Sequence, residues 1–284
     1  MKKIRLALIA GGTSGEREVS LKGAAEVEQV LSKEKYTVHR YDPATDLARL
    51  AADADRLDAA FLLLHGIHGE DGTVQGMLQL LGIPYQGAGV LGSALAMDTN
   101  LAKTMYRLHG LPVAAWAMAS REHITDPAPL LAELRLPVVV KPIRQGSSLG
   151  MSVVRETEQL SLALLTAFEH DSQVMVEEFI TGREITVGVI GNDELMPLPL
   201  VEVIPDAKYD FFDYEAKYHP GATREICPAE VDDSVRDKAQ EYGIKAHRAL
   251  QLRGYSRTDM IVRQDGEIFL LETNTIPGMT PTSL

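Results

Sequence analysis

The sequence predicts an α/β protein that opens as a nucleotide-type strand–loop–helix domain and continues through β-rich segments. Three stretches predict it. Residues 4–10 form an apolar run that breaks at Gly11-Gly12-Thr13-Ser14-Gly15 into a helical pattern from about Ser20 to Leu31. Residues 137–142 form a second apolar run with Lys141 at its outgoing end, then a Gly/Ser-rich stretch at 144–150 and a further strand at 151–155. Asp265-Gly266 stands between two β-prone runs, a strong short-range signal for a two-residue hairpin turn.

The remaining elements follow in order. Residues 36–41 read as a second strand, 47–54 as a helix, and 59–64 as an unbroken apolar strand. That strand runs out into His65-Gly66-Ile67-His68-Gly69-Glu70-Asp71-Gly72. Ligands gather at the carboxyl ends of strands in open α/β sheets, which makes His65 a candidate hydrogen-bonding group at a pocket rim. Grouping His65, His68 and Glu70 as a metal cluster is the weaker alternative, because the intervening glycines fix no common face. Residues 73–81 read as a helix stopped by Gly82-Ile83-Pro84, and the character of the chain changes through 87–97. Helices are predicted near 98–109, 159–170 and 232–250, and strands at 174–179, 184–191 and 195–203, the last two as a hairpin. The aromatic and charged stretch 209–218 has no period, and reads as a loop closing over a ligand.

A length of 284 residues suggests about two domains, or three small ones. A net charge of −12 argues against a nucleic-acid partner, which needs a basic footprint. The single cysteine, Cys227, leaves no intramolecular disulfide and fits a reducing compartment. Met1-Lys2-Lys3 superficially resembles a secretory start, but Arg5 interrupts the short apolar run behind it. No run approaches the roughly 18 apolar residues of a membrane span, so a cytoplasmic protein without a membrane partner is expected.

If the turn at Asp265-Gly266 has two residues, Gln264 pairs with Glu267, Asp259 lies opposite Glu272, and Arg257 lies opposite Asn274. Residues two apart on a strand share a face, so all four project together. Two carboxylates about 5 Å apart across a ladder repel each other, and a cation between them reverses that sign. Oxygen ligands without His or Cys point to a hard ion, Mg²⁺ or Mn²⁺. The alternative is a solvated hairpin end whose charges face water. The first glycine loop departs from G-x-G-x-x-G, and Glu16 stands where a pyrophosphate would be repelled. A carboxylate there suits a ligand ammonium group, although a turn with no ligand fits equally well. The loop at 144–150 offers backbone N–H donors for phosphates beside Lys141, yet it is no Walker loop, since no G-K-[ST] opens a helix.

These motifs together resemble the ATP-grasp superfamily and, closely, the D-alanine–D-alanine ligase family of bacterial cell-wall synthesis. The resemblance runs from Gly11 to Leu284. It is carried by the stretch from Gly11 to Ser20, His65-Gly66 with Gly69-Glu70-Asp71-Gly72, and Lys141-Pro142 with Gly146-Ser147-Ser148. Tyr214-Glu215-Ala216-Lys217-Tyr218 and Glu272-Thr273-Asn274-Thr275 with Pro277-Gly278-Met279-Thr280 complete it.

The resemblance implies an ATP-grasp architecture: a Rossmann-like substrate domain at 1–90, a central lid subdomain at 91–183 and a C-terminal subdomain at 184–284, with ATP held between the last two. It implies ligation of two D-alanines through a D-alanyl phosphate and a tetrahedral intermediate, for peptidoglycan precursor synthesis. Glu16 would hold the ammonium of the first D-alanine, with His65 near its carboxylate. Arg257 and the N–H of Gly278 would stabilise the oxyanion. Ser147 and Tyr218 would link with Glu16 to close a loop, and Lys217, Ser283 and Leu284 would meet the second substrate. Lys103, Lys141, Ser148, Glu177, Glu178, Phe179, Ile180, Glu184, Phe211, Lys217 and Asn274 would form the ATP site, with Glu177 and the backbone after it reading the adenine and Glu184 the ribose. Two Mg²⁺ (or Mn²⁺) would sit on Asp259, Glu272 and Asn274. The resemblance also implies a homodimer, the usual state of similar enzymes.

Tyr218 favours D-alanine over D-lactate as the second substrate. A D-lactate or D-serine ligase and a non-catalytic ATP-grasp protein are the alternatives within the resemblance. A dinucleotide-dependent oxidoreductase fails on the missing glycine pattern. Three departures from the family pattern stand out. Asp98-Thr99 replaces Asp-Lys, with Lys103 one helical turn on as a substitute cation; Glu178 stands where some relatives carry lysine; and relatives continue past Leu284 through a further helix.

Overall fold

Strand β1 (Ile4–Ile9) lies between β2 (Tyr36–Tyr41) and β3 (Ala59–Leu62) in a parallel three-stranded sheet. The coordinates are a computed structural model that describes residues 2–146, 149–205, 223–280 and 283. A parallel strand covered on both faces reads as a continuous apolar run, and β1 is one from Leu6 onward, where its residues are buried. Ala7 and Ile9 pack with Leu62, Val74 and Leu78, whereas Leu8 and Ala10 pack on the opposite face with Ala24, Val27 and Leu63. Helices α1 (Arg17–Val30), α2 (Leu47–Asp53) and α3 (Thr73–Leu80) belong to this unit. Helix α1 starts three residues before the predicted Ser20. That serine is buried, and its hydroxyl accepts from Gly11 N (2.7 Å) and donates to Leu63 O (2.5 Å), tying the glycine loop to the end of β3.

The unassigned stretch after residue 87 contains a helix, α4 (Val90–Met97), followed at once by α5 (Thr99–Leu108). Its sequence is apolar all round, so no periodicity announced it. Asp98 separates the two helices and caps α5 by accepting from Leu101 N at 2.9 Å.

The middle sheet is antiparallel, in the order β4 (Trp116–Ala119), β7 (Val174–Glu178), β5 (Val138–Pro142), β6 (Ser152–Val154). Helix α6 (Leu160–His170) covers it. Strand β4 was not predicted; Trp-Ala-Met-Ala has no β-branched residue, and pairing with β7 makes it a strand.

The largest sheet runs β11 (Thr223–Ile226), β10 (Val201–Pro205), β8 (Arg183–Gly191), β12 (Gly254–Val262), β13 (Ile268–Asn274), with β9 (Leu195–Pro197) also on β8. The predicted strand over 195–203 is thus broken in two. Leu198 N still donates to Gly188 O at 2.8 Å, Pro199 has no N–H to give, and pairing resumes at Val201↔Thr186 with one residue gained. Helix α7 (Asp233–Ala249) packs on this sheet together with α4 and α5 in one core around Tyr106, Leu111, Ala246, Met260 and Leu270. Residues 88–111 therefore share a core with the C-terminal sheet, although the expected division placed most of them with the central unit.

The hairpin between β12 and β13 reaches the predicted pairing by another route. Gly266 N donates to Arg263 O (3.0 Å) and Arg263 N to Glu267 O (2.8 Å), so the loop is Gln264-Asp265-Gly266 with Gly266 at φ +84°. Gln264 does not pair with Glu267. Pairing runs Val262↔Ile268 to Met260↔Leu270, and a bulge after Met260 then restores Asp259↔Glu272 and Arg257↔Asn274. A three-residue loop with its last residue left-handed is a common hairpin, and the bulge cancels its one-residue offset. No helix among the described residues is long and apolar enough to cross a membrane.

Candidate active site

A cavity of about 150 Å³ separates the middle sheet from the large one. Lys141, Met151 and Phe179 face it from one side, and Glu184, Asp259, Leu271 and Glu272 from the other. Asp259 and Glu272 therefore share a face, as the alternation of the hairpin requires.

Asp259 is nearly buried and fully engaged. One carboxylate oxygen accepts from Thr186 Oγ1 (2.6 Å) and Arg257 Nε (2.9 Å), the other from Arg257 Nη2 (3.0 Å) and Asn274 Nδ2 (3.0 Å). Burial works against the Arg257 guanidinium, but Asp259 outweighs it and raises the guanidinium pKa. The repulsion expected between the paired carboxylates is thus relieved by Arg257. Asp259, Glu272 and Asn274 offer a hard-oxygen set that fits Mg²⁺ or Mn²⁺, provided the Asn274 amide turns its oxygen toward the ion. Among the described residues no group of three His, Cys, Asp or Glu could hold a metal, which disposes of the His65, His68 and Glu70 alternative.

Glu177, on β7, turns its carboxylate to two lysines. Lys141 Nζ lies 2.6 Å from one oxygen and Lys103 Nζ 2.7 Å from the other, the second contact close but poorly directed. Burial alone would push this carboxyl up; Lys103 and Lys141 reverse that and hold it well below the usual range. Lys103 has no exposed side-chain surface, and burial pulls its ammonium down against the attraction of Glu177. The chain beyond Glu177 supplies the wall of the cavity through Glu178, Phe179 and Ile180. At its mouth Arg263, from the hairpin, pairs with Glu178 at 3.1 Å across the two sheets.

Glu16 lies at the other end of the site, almost buried. Two glycines crowd it. A Cβ on Gly66 (φ +70°) would stand 2.9 Å from Glu16 Oε2, and one on Gly146 would collide with the same carboxylate. The Gly/Ser loop therefore reaches Glu16. His65 is 6% exposed; burial lowers its pKa, Glu16 opposes that, and Nε2 has no hydrogen-bond partner. Gly278 presses its carbonyl on α1, where Gly23 has no room for a Cβ. Ser283 Oγ contacts Thr280 N (3.1 Å) and Thr280 Oγ1 (2.7 Å) beside Gly278. Ser147, Ser148, Phe211, Lys217, Tyr218 and Leu284 lie outside the described residues.

Two of these groups escaped the reading of the sequence. Thr186 meets Asp259 because β8 and β12 pair at Asp259↔Thr186, a register with no local signal. Arg263 reads as an ordinary turn charge until the sheets are stacked. Asp42, at the end of β2 where a dinucleotide fold carries its ribose-binding acid, is spent otherwise. It accepts from Gly12 N (2.9 Å) and Ala44 N (2.9 Å) and pairs with Arg17 (2.6 Å), which holds its carboxyl at about 2.

Comparison with known proteins gives a consistent result. Family models described as D-ala D-ala ligase C-terminus and N-terminus match residues 105–284 and 42–88. The D-alanine–D-alanine ligase of Desulfotalea psychrophila is 58% identical over 284 residues, covering 100% of this chain and 88% of that protein. That of Syntrophobacter fumaroxidans is 56% identical, covering 100% and 91%. Among solved structures, the D-alanine–D-alanine ligase of Bacillus anthracis complexed with ATP is 33% identical at a TM-score of 0.83, covering 99% of this chain and 89% of that one. The VanG D-Ala:D-Ser ligase of Enterococcus faecalis is 32% identical at 0.83, covering 100% and 93%.

Proposed function

The chain belongs to the D-alanine–D-alanine ligase family, ATP-grasp enzymes that join two D-alanines at the expense of ATP, and we propose how its residues perform that reaction. ATP enters between the middle and large sheets. The backbone after Glu177 meets the adenine, Glu184 the ribose, and Lys141 with Ser148 the phosphates. Lys103, having no exposed surface, acts through Glu177, which it holds together with Lys141.

Glu16 binds the ammonium of the first D-alanine and keeps it protonated, so this amine does not compete as a nucleophile. The first carboxylate attacks the γ-phosphorus, ADP leaves, and an acyl phosphate forms. The amine of the second D-alanine attacks the acyl carbon, its proton passes to solvent, and phosphate departs with the C–O bond electrons. Arg257 and the N–H of Gly278 hold the oxyanion of the tetrahedral intermediate. Two divalent ions on Asp259, Glu272 and Asn274 would neutralise phosphate charge during transfer. The family pattern assigns Ser147, Tyr218, Lys217, Ser283 and Leu284 to closure over the second substrate.

The domain reading is 1–90, 91–183 and 184–284, with the helices before residue 111 packed in the core of the last unit, and we place the reaction in the cytoplasm, feeding peptidoglycan precursor synthesis. We also propose a homodimer, supported by Leu80 and Leu91, 91% and 53% exposed on the adjacent helices α3 and α4; sedimentation at micromolar concentration tests it.

The observation that carries the reading is the single face shared by Arg257, Asp259, Glu272 and Asn274, with Asp259 and Glu272 set across the cavity from Lys141 and Arg257 and Asn274 bonded to Asp259. Phosphate release from Mg·ATP should require D-alanine and be absent with L-alanine or D-lactate as sole substrate. Asp259→Asn should lower kcat at least 100-fold while the protein stays folded. Phosphate release indifferent to D-alanine would overturn the proposal.

A further inference from the structure

The mechanism leaves Glu70 unused, although it is the residue that joins the two ends of the first substrate's site. Its carboxylate accepts from Gly66 N at 3.0 Å and from Ile276 N at 3.2 Å, one oxygen for each. Gly66 lies against Glu16 and follows the buried His65. Ile276 stands between Asn274 and Gly278, and its side chain is packed in the core of the first α/β unit beside Leu62, Leu64 and Leu78. The same carboxylate also acts on the charge of Arg257. A single side chain thus bridges the loop that walls the ammonium end and the strand exit that leads to the oxyanion N–H.

We propose that Glu70 is a positioning residue that locks the loop at 65–70 to the segment at 274–278, so that the first D-alanine is gripped at both ends in one register. This rests on the ligase reading above. A carboxylate can accept from both N–H groups at once. An amide of the same size accepts from one and turns its own NH₂ toward the other, donor against donor.

The test compares wild type, Glu70→Gln and Glu70→Asp, the last keeping the charge but losing reach by one methylene. Rates are measured against D-alanine and against ATP, and Tm with each ligand. In both variants the D-alanine concentration for half-maximal rate should rise about tenfold or more, with KM for ATP within twofold of wild type. ATP should still raise Tm, whereas the further rise on adding D-alanine should disappear. The aspartate variant gives the same reading should the amide fail to fold. A D-alanine dependence within twofold of wild type overturns the proposal. So does parallel loss of ATP and D-alanine binding, which would make Glu70 a general prop of the fold. Wild type that neither turns over nor is stabilised by D-alanine removes the ligase reading, and this inference with it; failure of the variants alone removes only the inference.

Discussion

Glu177 is a carboxylate with almost no exposure, and it survives because ammonium groups reach it from α5 and β5. Neutralising one member of such a set costs more than removing the whole of it, because a buried charge is left unpaired. Glu177→Gln should therefore cost on the order of 3 kcal/mol in urea unfolding. Adding Lys103→Met should recover most of that loss, since the buried ammonium is then gone. A double variant no more stable than the single would show that Lys103 is not the source of the cost. The same pairing explains how Lys103 was legible as a charge of the site without its placement being legible. Its spacing from Asp98 puts it on α5, but only the packing of α5 on the large sheet beside β13 turns it inward toward Glu177.

At the scale of elements, the β12–β13 hairpin carries the lesson. The pairing of Asp259 with Glu272 was readable from the sequence, yet the turn that leads to it was not. Asp-Gly suits a two-residue turn and also the end of a three-residue one, and local composition does not separate them. The bulge near Leu271 has no signature of its own, so the two offsets cancelled unseen. Gly266→Ala checks the three-residue loop. At φ +84° an alanine is strained, so this variant should lose about 1 kcal/mol of stability in denaturant unfolding with kcat unchanged. An alanine tolerated without loss would contradict the left-handed assignment. Helix α4 and strand β4 were missed for related reasons: one is apolar on every face, the other has no β-branched residue and exists by pairing.

Across the whole molecule, Glu70 couples the first α/β unit to the C-terminal sheet, and this gives stability a pH dependence. Burial pushes its carboxyl up to about 7, against the two N–H groups and Arg257, with Glu272 adding to the rise. Below the ordinary value near 4.5 the group is protonated folded or unfolded, and its contribution is fully present. Between 4.5 and 7 the unfolded chain ionises while the folded one keeps its proton, so stability falls. The loss across that window is about 3 kcal/mol. His65 and His247, whose pKa values burial lowers, run the other way near neutrality, so the difference between wild type and Glu70→Gln is the measure. Tm of wild type should drop more steeply from pH 5 to 7.5 than that of the variant. Parallel curves would remove Glu70 as the cause.

The amino-acid order by itself determined the kinds of elements, the chemistry each carries and the family, because those reside in periodicity, turn residues and short motifs that act over a few positions. Which cation is buried, which carboxylate is already paired and which loop rests on Glu16 were decided only by tertiary structure. Those outcomes depend on contacts between segments as far apart as Gly66 and Ile276. Burial and proximity set a charge's energy, and both are properties of the packed chain.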